Sequence, residues 1–77
     1  PAAAVEVVSN TASGKPAIGR AIELHGLRPF DAPQVLHTDR TGRVRFTGLL
    51  PGDYRVADRS SERAVTATAG AITRVEL

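Results

Sequence analysis

The chain has 77 residues, with ten Lys or Arg against eight Asp or Glu, a net charge of +2 and no Cys. That length holds one domain that buries only about 60% of the surface its unfolded form exposes. Without Cys it has no disulfide or thiolate metal site to add stability, and no apolar run reaches the roughly 20 residues a membrane-spanning helix needs. The opening Pro1-Ala2-Ala3-Ala4 lacks the charged and apolar regions of a secretion signal. Residues 1–77 are therefore read as a single domain, either a mature protein in itself or, the preferred reading, a domain excised from a larger one.

The chain order reads as strand and turn throughout. Apolar residues do not recur at helical spacing over any useful window, and Gly or Pro interrupts nearly every ten residues. Residues 4–8 form the first expected strand, with Val5 and Val7 inward. A loop, residues 9–16, holds Ser13-Gly14-Lys15-Pro16, whose Pro presets the backbone. Residues 20–25 follow, with Ile22 and Leu24 inward and Glu23 outward; residues 26–33 carry two prolines and read as loop. A third strand, residues 34–38, leads into the most informative stretch, residues 38–56. There Val44 and Phe46 alternate with Arg43, Arg45 and Thr47, and Tyr54 and Val56 alternate with Asp53 and Arg55. Period-two alternation puts one set of side chains in a core and the other in water. The turns Asp39-Arg40-Thr41-Gly42 and Leu50-Pro51-Gly52-Asp53 separate the pieces. Strands at 42–47 and 53–58 are expected to pair as a hairpin. Residues 59–62 make a turn, and residues 63–68 and 71–77, split by Gly70, complete seven strands with Val65, Val75 and Leu77 as core candidates. Short strands broken by turn chemistry make this an all-β, small antiparallel seven-stranded sandwich. No connection is long enough for the crossover helices that parallel pairing usually needs.

Few residues carry reactive chemistry. His25 and His37 lack the companions of a zinc site and read as unrelated surface or edge histidines. The carboxylates, Glu6, Glu23, Asp31, Asp39, Asp53, Asp58, Glu62 and Glu76, form no calcium loop. Asp39 is expected to hydrogen-bond its own turn, and Asp53 to do the same or to pair with an Arg. Ser9, Ser13, Ser60 and Ser61 have neither a nucleophile elbow nor a His–acid relay. Ser13-Gly14-Lys15-Pro16 falls short of a P-loop. The expectation is a protein that is not an enzyme and has no cofactor and no metal.

Nine of the ten basic residues are Arg, at positions 20, 28, 40, 43, 45, 55, 59, 63 and 74. That bias is also what base composition alone produces. If the two strands pair as a hairpin, Arg43, Arg45 and Arg55 share one sheet face. Such a face would take acidic protein surfaces or sulfate, uronate or phosphate groups; the alternative is solvated charge that keeps exposed strands from pairing with other chains. With net charge low and aromatics confined to Phe30, Phe46 and Tyr54, nucleic acid is not an expected partner. Phe30 is the only aromatic placed to stack a sugar.

Three stretches carry a resemblance: Gly14-Lys15-Pro16-Ala17-Ile18-Gly19-Arg20-Ala21-Ile22-Glu23-Leu24; Thr38-Asp39-x-x-Gly42-x-Val44-x-Phe46-x-x-Leu49-x-Pro51-Gly52-x-Tyr54-x-Val56; and Thr68-Ala69-Gly70-x-Ile72-Thr73-x-Val75-x-Leu77. Together they resemble the carboxypeptidase-regulatory-like domains, which belong with the transthyretin-like (prealbumin-like) sandwiches and the B-type repeats of Gram-positive surface adhesins. The resemblance implies a non-catalytic structural or protein-interaction module, a spacer, plug or docking domain of a larger bacterial assembly. It implies an extracellular, periplasmic or cell-surface location, with contact to membrane only through a parent protein. Expected partners are another protein or neighbouring domains of the parent chain, or an acidic glycan, through Arg43, Arg45, Arg55 and Phe30. A carbohydrate-binding module attached to a secreted enzyme is the alternative. Adhesin repeats often carry an isopeptide bond between a first-strand Lys and a last-strand Asn beside a buried acid. By the resemblance the Lys position falls near Val8, and Asp58 falls where the acid would lie. The sole Lys is Lys15 and the sole Asn is Asn10, so no crosslink is expected and Asp58 is read as a strand-end residue.

Overall fold

The computed structural model describes residues 2–26 and 32–77. Seven strands follow one another: β1 (Ala3–Val8), β2 (Ala21–Gly26), β3 (Gln34–His37), β4 (Arg43–Leu49), β5 (Gly52–Ala57), β6 (Glu62–Ala67) and β7 (Ile72–Glu76). They form a three-stranded sheet, order β4-β1-β7, and a four-stranded sheet, order β3-β2-β5-β6. The all-β, seven-stranded sandwich read from the alternation is the observed architecture, with every strand near its expected place.

Alternation sets the core as expected. Val5, Val7, Ile22 and Val56 have no exposed surface, and Phe46, at 1%, is the largest side chain among the fully buried ones. Tyr54, Val75 and Leu77 are half-buried and pack against this cluster from its rim. In β4 the alternation breaks on purpose. Val5 pairs with Phe46 but Ala3 pairs with Leu49, so the register slips by one residue. Gly48 sits at that slip with φ +68°, a backbone region L side chains resist. The bulge turns Leu49 inward, where it is buried.

Two expectations about pairing are corrected. First, the sandwich is not antiparallel throughout. β1 and β7 run parallel from Ala4↔Ile72 to Val8↔Glu76. The chain between them passes through the other sheet, so a parallel pair forms without any helix. Second, β4 and β5 make no hairpin: β4 pairs with β1, while β5 pairs with β2 and β6. Residues 50 and 51 carry the chain from one sheet to the other. Pro51 has no N–H to give a ladder, and the Tyr54 hydroxyl donates to the Leu50 carbonyl at 2.6 Å, pinning the crossing.

Candidate functional site

The broken hairpin separates the candidate arginines. Arg43 and Arg45 project from β4 on the outer face of the three-stranded sheet, across from Val8 and Glu6 of β1. Arg55 lies in β5, in the opposite layer, with its Nη1 3.2 Å from Glu62 Oε1. The three guanidinium groups therefore do not share a face, because period-two alternation places each strand's outward residues without specifying which sheet the strand joins. Phe30 lies outside the described residues.

What joins Arg43 and Arg45 instead is Arg74, brought to this face by its pairing with Glu6 across the β1–β7 ladder. Glu6 sits between β4 and β7 with Arg45 opposite it on one side and Arg74 on the other. Arg45 Nη2 donates to Glu6 Oε2 at 2.7 Å, and Arg74 Nε lies 3.9 Å from Glu6 Oε1. The Arg45 hydrogen bond, opposed by partial desolvation and reinforced by the charges of Arg45, Arg43 and Arg74, holds the Glu6 carboxyl below its usual value. Glu76 pairs with Val8 in the same ladder, so this face carries Arg43, Arg45 and Arg74 against Glu6 and Glu76. No signal in the sequence placed Arg74 there; the parallel register did.

The second polar assembly lies at the end where β1 and β7 finish. Arg20, just before β2, reaches across that end. Its Nη1 donates to Ser9 Oγ at 3.0 Å and the Asn10 carbonyl at 3.4 Å, and lies 3.4 Å from Asp58 Oδ2. The Asp58 side chain is only 2% exposed. Its Oδ1 accepts the N–H groups of Ser60 and Ser61 at 2.8 and 2.7 Å. Burial pushes this carboxyl up, but the Ser60 and Ser61 N–H groups and the Arg20 charge outweigh it and leave it below its ordinary value. Asp58 does stand just past β5, yet it is also a buried anion that ties its own β5–β6 turn to the β1–β2 connection through Arg20. Buried Thr38 completes the assembly: its hydroxyl donates to the Ala17 carbonyl at 2.5 Å and accepts the Arg20 N–H at 2.9 Å. Val8, where a crosslinking Lys would fall, is buried and apolar.

Other polar residues serve turns and ladders. Asp39 Oδ1 accepts from the Thr41 N–H at 2.8 Å, the Thr41 hydroxyl at 2.6 Å and the Arg43 N–H at 3.2 Å, closing its own turn. These bonds, the Thr41 hydroxyl first, hold its carboxyl below the ordinary value. Among the described residues Asp53 neither bonds its own turn nor pairs with an Arg. It accepts from the Thr66 hydroxyl at 2.9 Å, because Thr66 stands opposite it across the β5–β6 ladder. His25 pairs with Glu23 at 3.2 Å on the outer face of β2, and His37 ends β3. Among the described residues no three His, Cys, Asp or Glu side chains gather as a metal site.

This arrangement defines a two-sheet β-sandwich domain with polar latches at one end and a cationic outer face. No protein-family model and no curated protein matches the chain. Solved structures do match it in fold. BcpA, the major pilin subunit of Bacillus cereus, superposes with a TM-score of 0.83 at 17% identity over 100% of this chain. GBS52, the minor pilin of the Gram-positive pathogen Streptococcus agalactiae, gives 0.75 at 22% identity over 99%. A DUF3823 family protein from Parabacteroides merdae gives 0.68 at 15% identity, also over 99%. The chain spans only 28%, 43% and 44% of those proteins, respectively.

Proposed function

We propose that the chain is a non-catalytic structural module of a bacterial exported or cell-surface assembly, of the carboxypeptidase-regulatory-like kind, acting as a load-bearing spacer between neighbouring parts. The observation that carries this reading is the parallel β1–β7 pair. Because the first and last strands run side by side in the same direction, polypeptide before Ala3 and after Glu76 departs from opposite ends of the β1–β7 ladder. Force along the chain then shears five residue pairs at once, from Ala4↔Ile72 to Val8↔Glu76, with the Ala4 N–H and the Leu77 N–H adding a bond at either end. Hydrogen bonds loaded together resist far better than bonds opened in turn. The likeness to pilin subunits in fold supports the same reading, since those are assembly proteins by name.

Pulling single molecules tests it. With handles at residues 2 and 77, unfolding is expected as one event at a force several-fold above that with handles at residues 2 and 69, which peel β1 away. Equal forces in the two geometries would remove the load-bearing role.

A further inference from the structure

The Ser9 end of the sandwich holds a concavity that the spacer reading does not use. It has a volume of about 470 Å³ and is lined by Ile18, Gly19, Arg20, Ala21, His37 and Arg59. Two of these six are permanently cationic, a third is a histidine, and none is acidic. Asp58, which precedes Arg59, offsets only Arg20: its carboxylate is turned inward, accepting from the Ser60 and Ser61 N–H groups and lying 3.4 Å from Arg20 Nη1, with a side chain 2% exposed.

Arg20 is held in place by this arrangement. Among the described residues only its Nη1 is engaged, by Ser9, Asn10 and Asp58. A guanidinium has five N–H donors, so Nη2 and Nε retain theirs, and the side chain is 33% exposed. Arg59 and His37 are exposed, and neither forms an ion pair among the described residues. Beside these groups stands Ile18, 71% exposed, an apolar wall with nothing packed over it among the described residues.

We infer that this concavity is an oxyanion-binding site, taking a phosphate, sulfate or carboxylate group borne on a small apolar body. A recess lined by charges of one sign focuses the field and concentrates counter-ions. A fixed guanidinium with free donors grips a planar or tetrahedral oxyanion through two bonds. Arg59 and His37 close on the same group from the β5–β6 turn and the end of β3, and Ile18 covers the apolar part. The inference does not depend on the spacer role.

Amide NMR titration of the 77-residue chain at low salt tests it, with inorganic phosphate and phenyl phosphate as probes. Both are expected to shift the amides of Gly19, Arg20, Ala21, His37 and Arg59, with phenyl phosphate several-fold the tighter. Arg59→Ala and His37→Gln alter exposed side chains and so keep the fold. Each should weaken both probes by about tenfold, in line with loss of one hydrogen bond to a charged group. Ile18→Ser should abolish the advantage of phenyl phosphate alone, and Arg43→Ala on the far face should change nothing. Shifts that are absent, that centre on Arg43, Arg45 and Arg74, or that persist unchanged in Arg59→Ala would overturn the site. Equal affinity for the two probes, unaltered by Ile18→Ser, would overturn the apolar component.

Discussion

The Tyr54 hydroxyl donates a 2.6 Å hydrogen bond to the carbonyl of Leu50, four residues upstream, so one side chain spans the point where the chain changes sheets. Tyrosines at sandwich corners do this elsewhere. Here the bond fixes the direction in which β5 departs and thereby keeps β4 and β5 in separate layers. Tyr54→Phe keeps the ring and deletes the bond. A loss of about 1 kcal/mol in urea-induced unfolding is expected, and an unchanged midpoint would mean the crossing is held by packing alone.

Glycine is required at two positions for different reasons. At Gly42, φ is +76° and an added Cβ would stand 2.5 Å from the Ser9 carbonyl oxygen and 3.1 Å from Pro16. At Gly48, φ is +68° with open space around it. The backbone term alone costs about 1–2 kcal/mol, so Gly48→Ala should lose that much and Gly42→Ala clearly more. Thermal melts of the two variants, compared side by side, check the order; the reverse order would show that the β3–β4 turn moves freely away from the β1–β2 loop.

Phe46 is the largest of the fully buried side chains. Phe46→Ala should cost about 3–5 kcal/mol, which approaches the whole stability of a domain this small. Circular dichroism at 25 °C is expected to find the variant largely unfolded, whereas Phe46→Leu should remain folded with a lower melting temperature.

Acid stability follows from three carboxyls, Glu6, Asp39 and Asp58, all held below their ordinary values. A carboxyl with a lower pKa folded than unfolded stabilises the fold above its unfolded pKa, near 4, and the contribution is lost as pH falls through the folded value. Stability should thus be level above about pH 5 and decline below about pH 4. Asp58→Ala removes one of the three and strands Arg20. Chemical denaturation should show a loss of about 2 kcal/mol at pH 7 and a shallower acid decline. Asp58→Asn, whose amide oxygen still accepts from Ser60 and Ser61, should lose less. An acid limb identical to that of the unmodified chain would clear Asp58 of this role.

Much of this molecule is local in origin. Val5 and Val7, Ile22 and Leu24, Val44 and Phe46 declare their strands and their inward faces, because side chains alternate across a strand whatever lies beside it. Asp39 and Gly42 likewise announce a turn that their own side chain and backbone complete. The site residues were less legible. Asp53 found Thr66, Arg74 joined Arg45 at Glu6, and Arg55 left for the other layer with Glu62. Each outcome depends on a neighbour distant in sequence.

The amino-acid order by itself therefore determined seven strands, their turns and which residues point to the core. Only the tertiary structure decided that β4 and β5 lie in different sheets rather than alongside each other, that β1 and β7 run parallel, and that Arg20, His37 and Arg59 border one recess. The physical reason is that alternation encodes the face of a strand and not its partner, and charged residues acquire meaning from the partner.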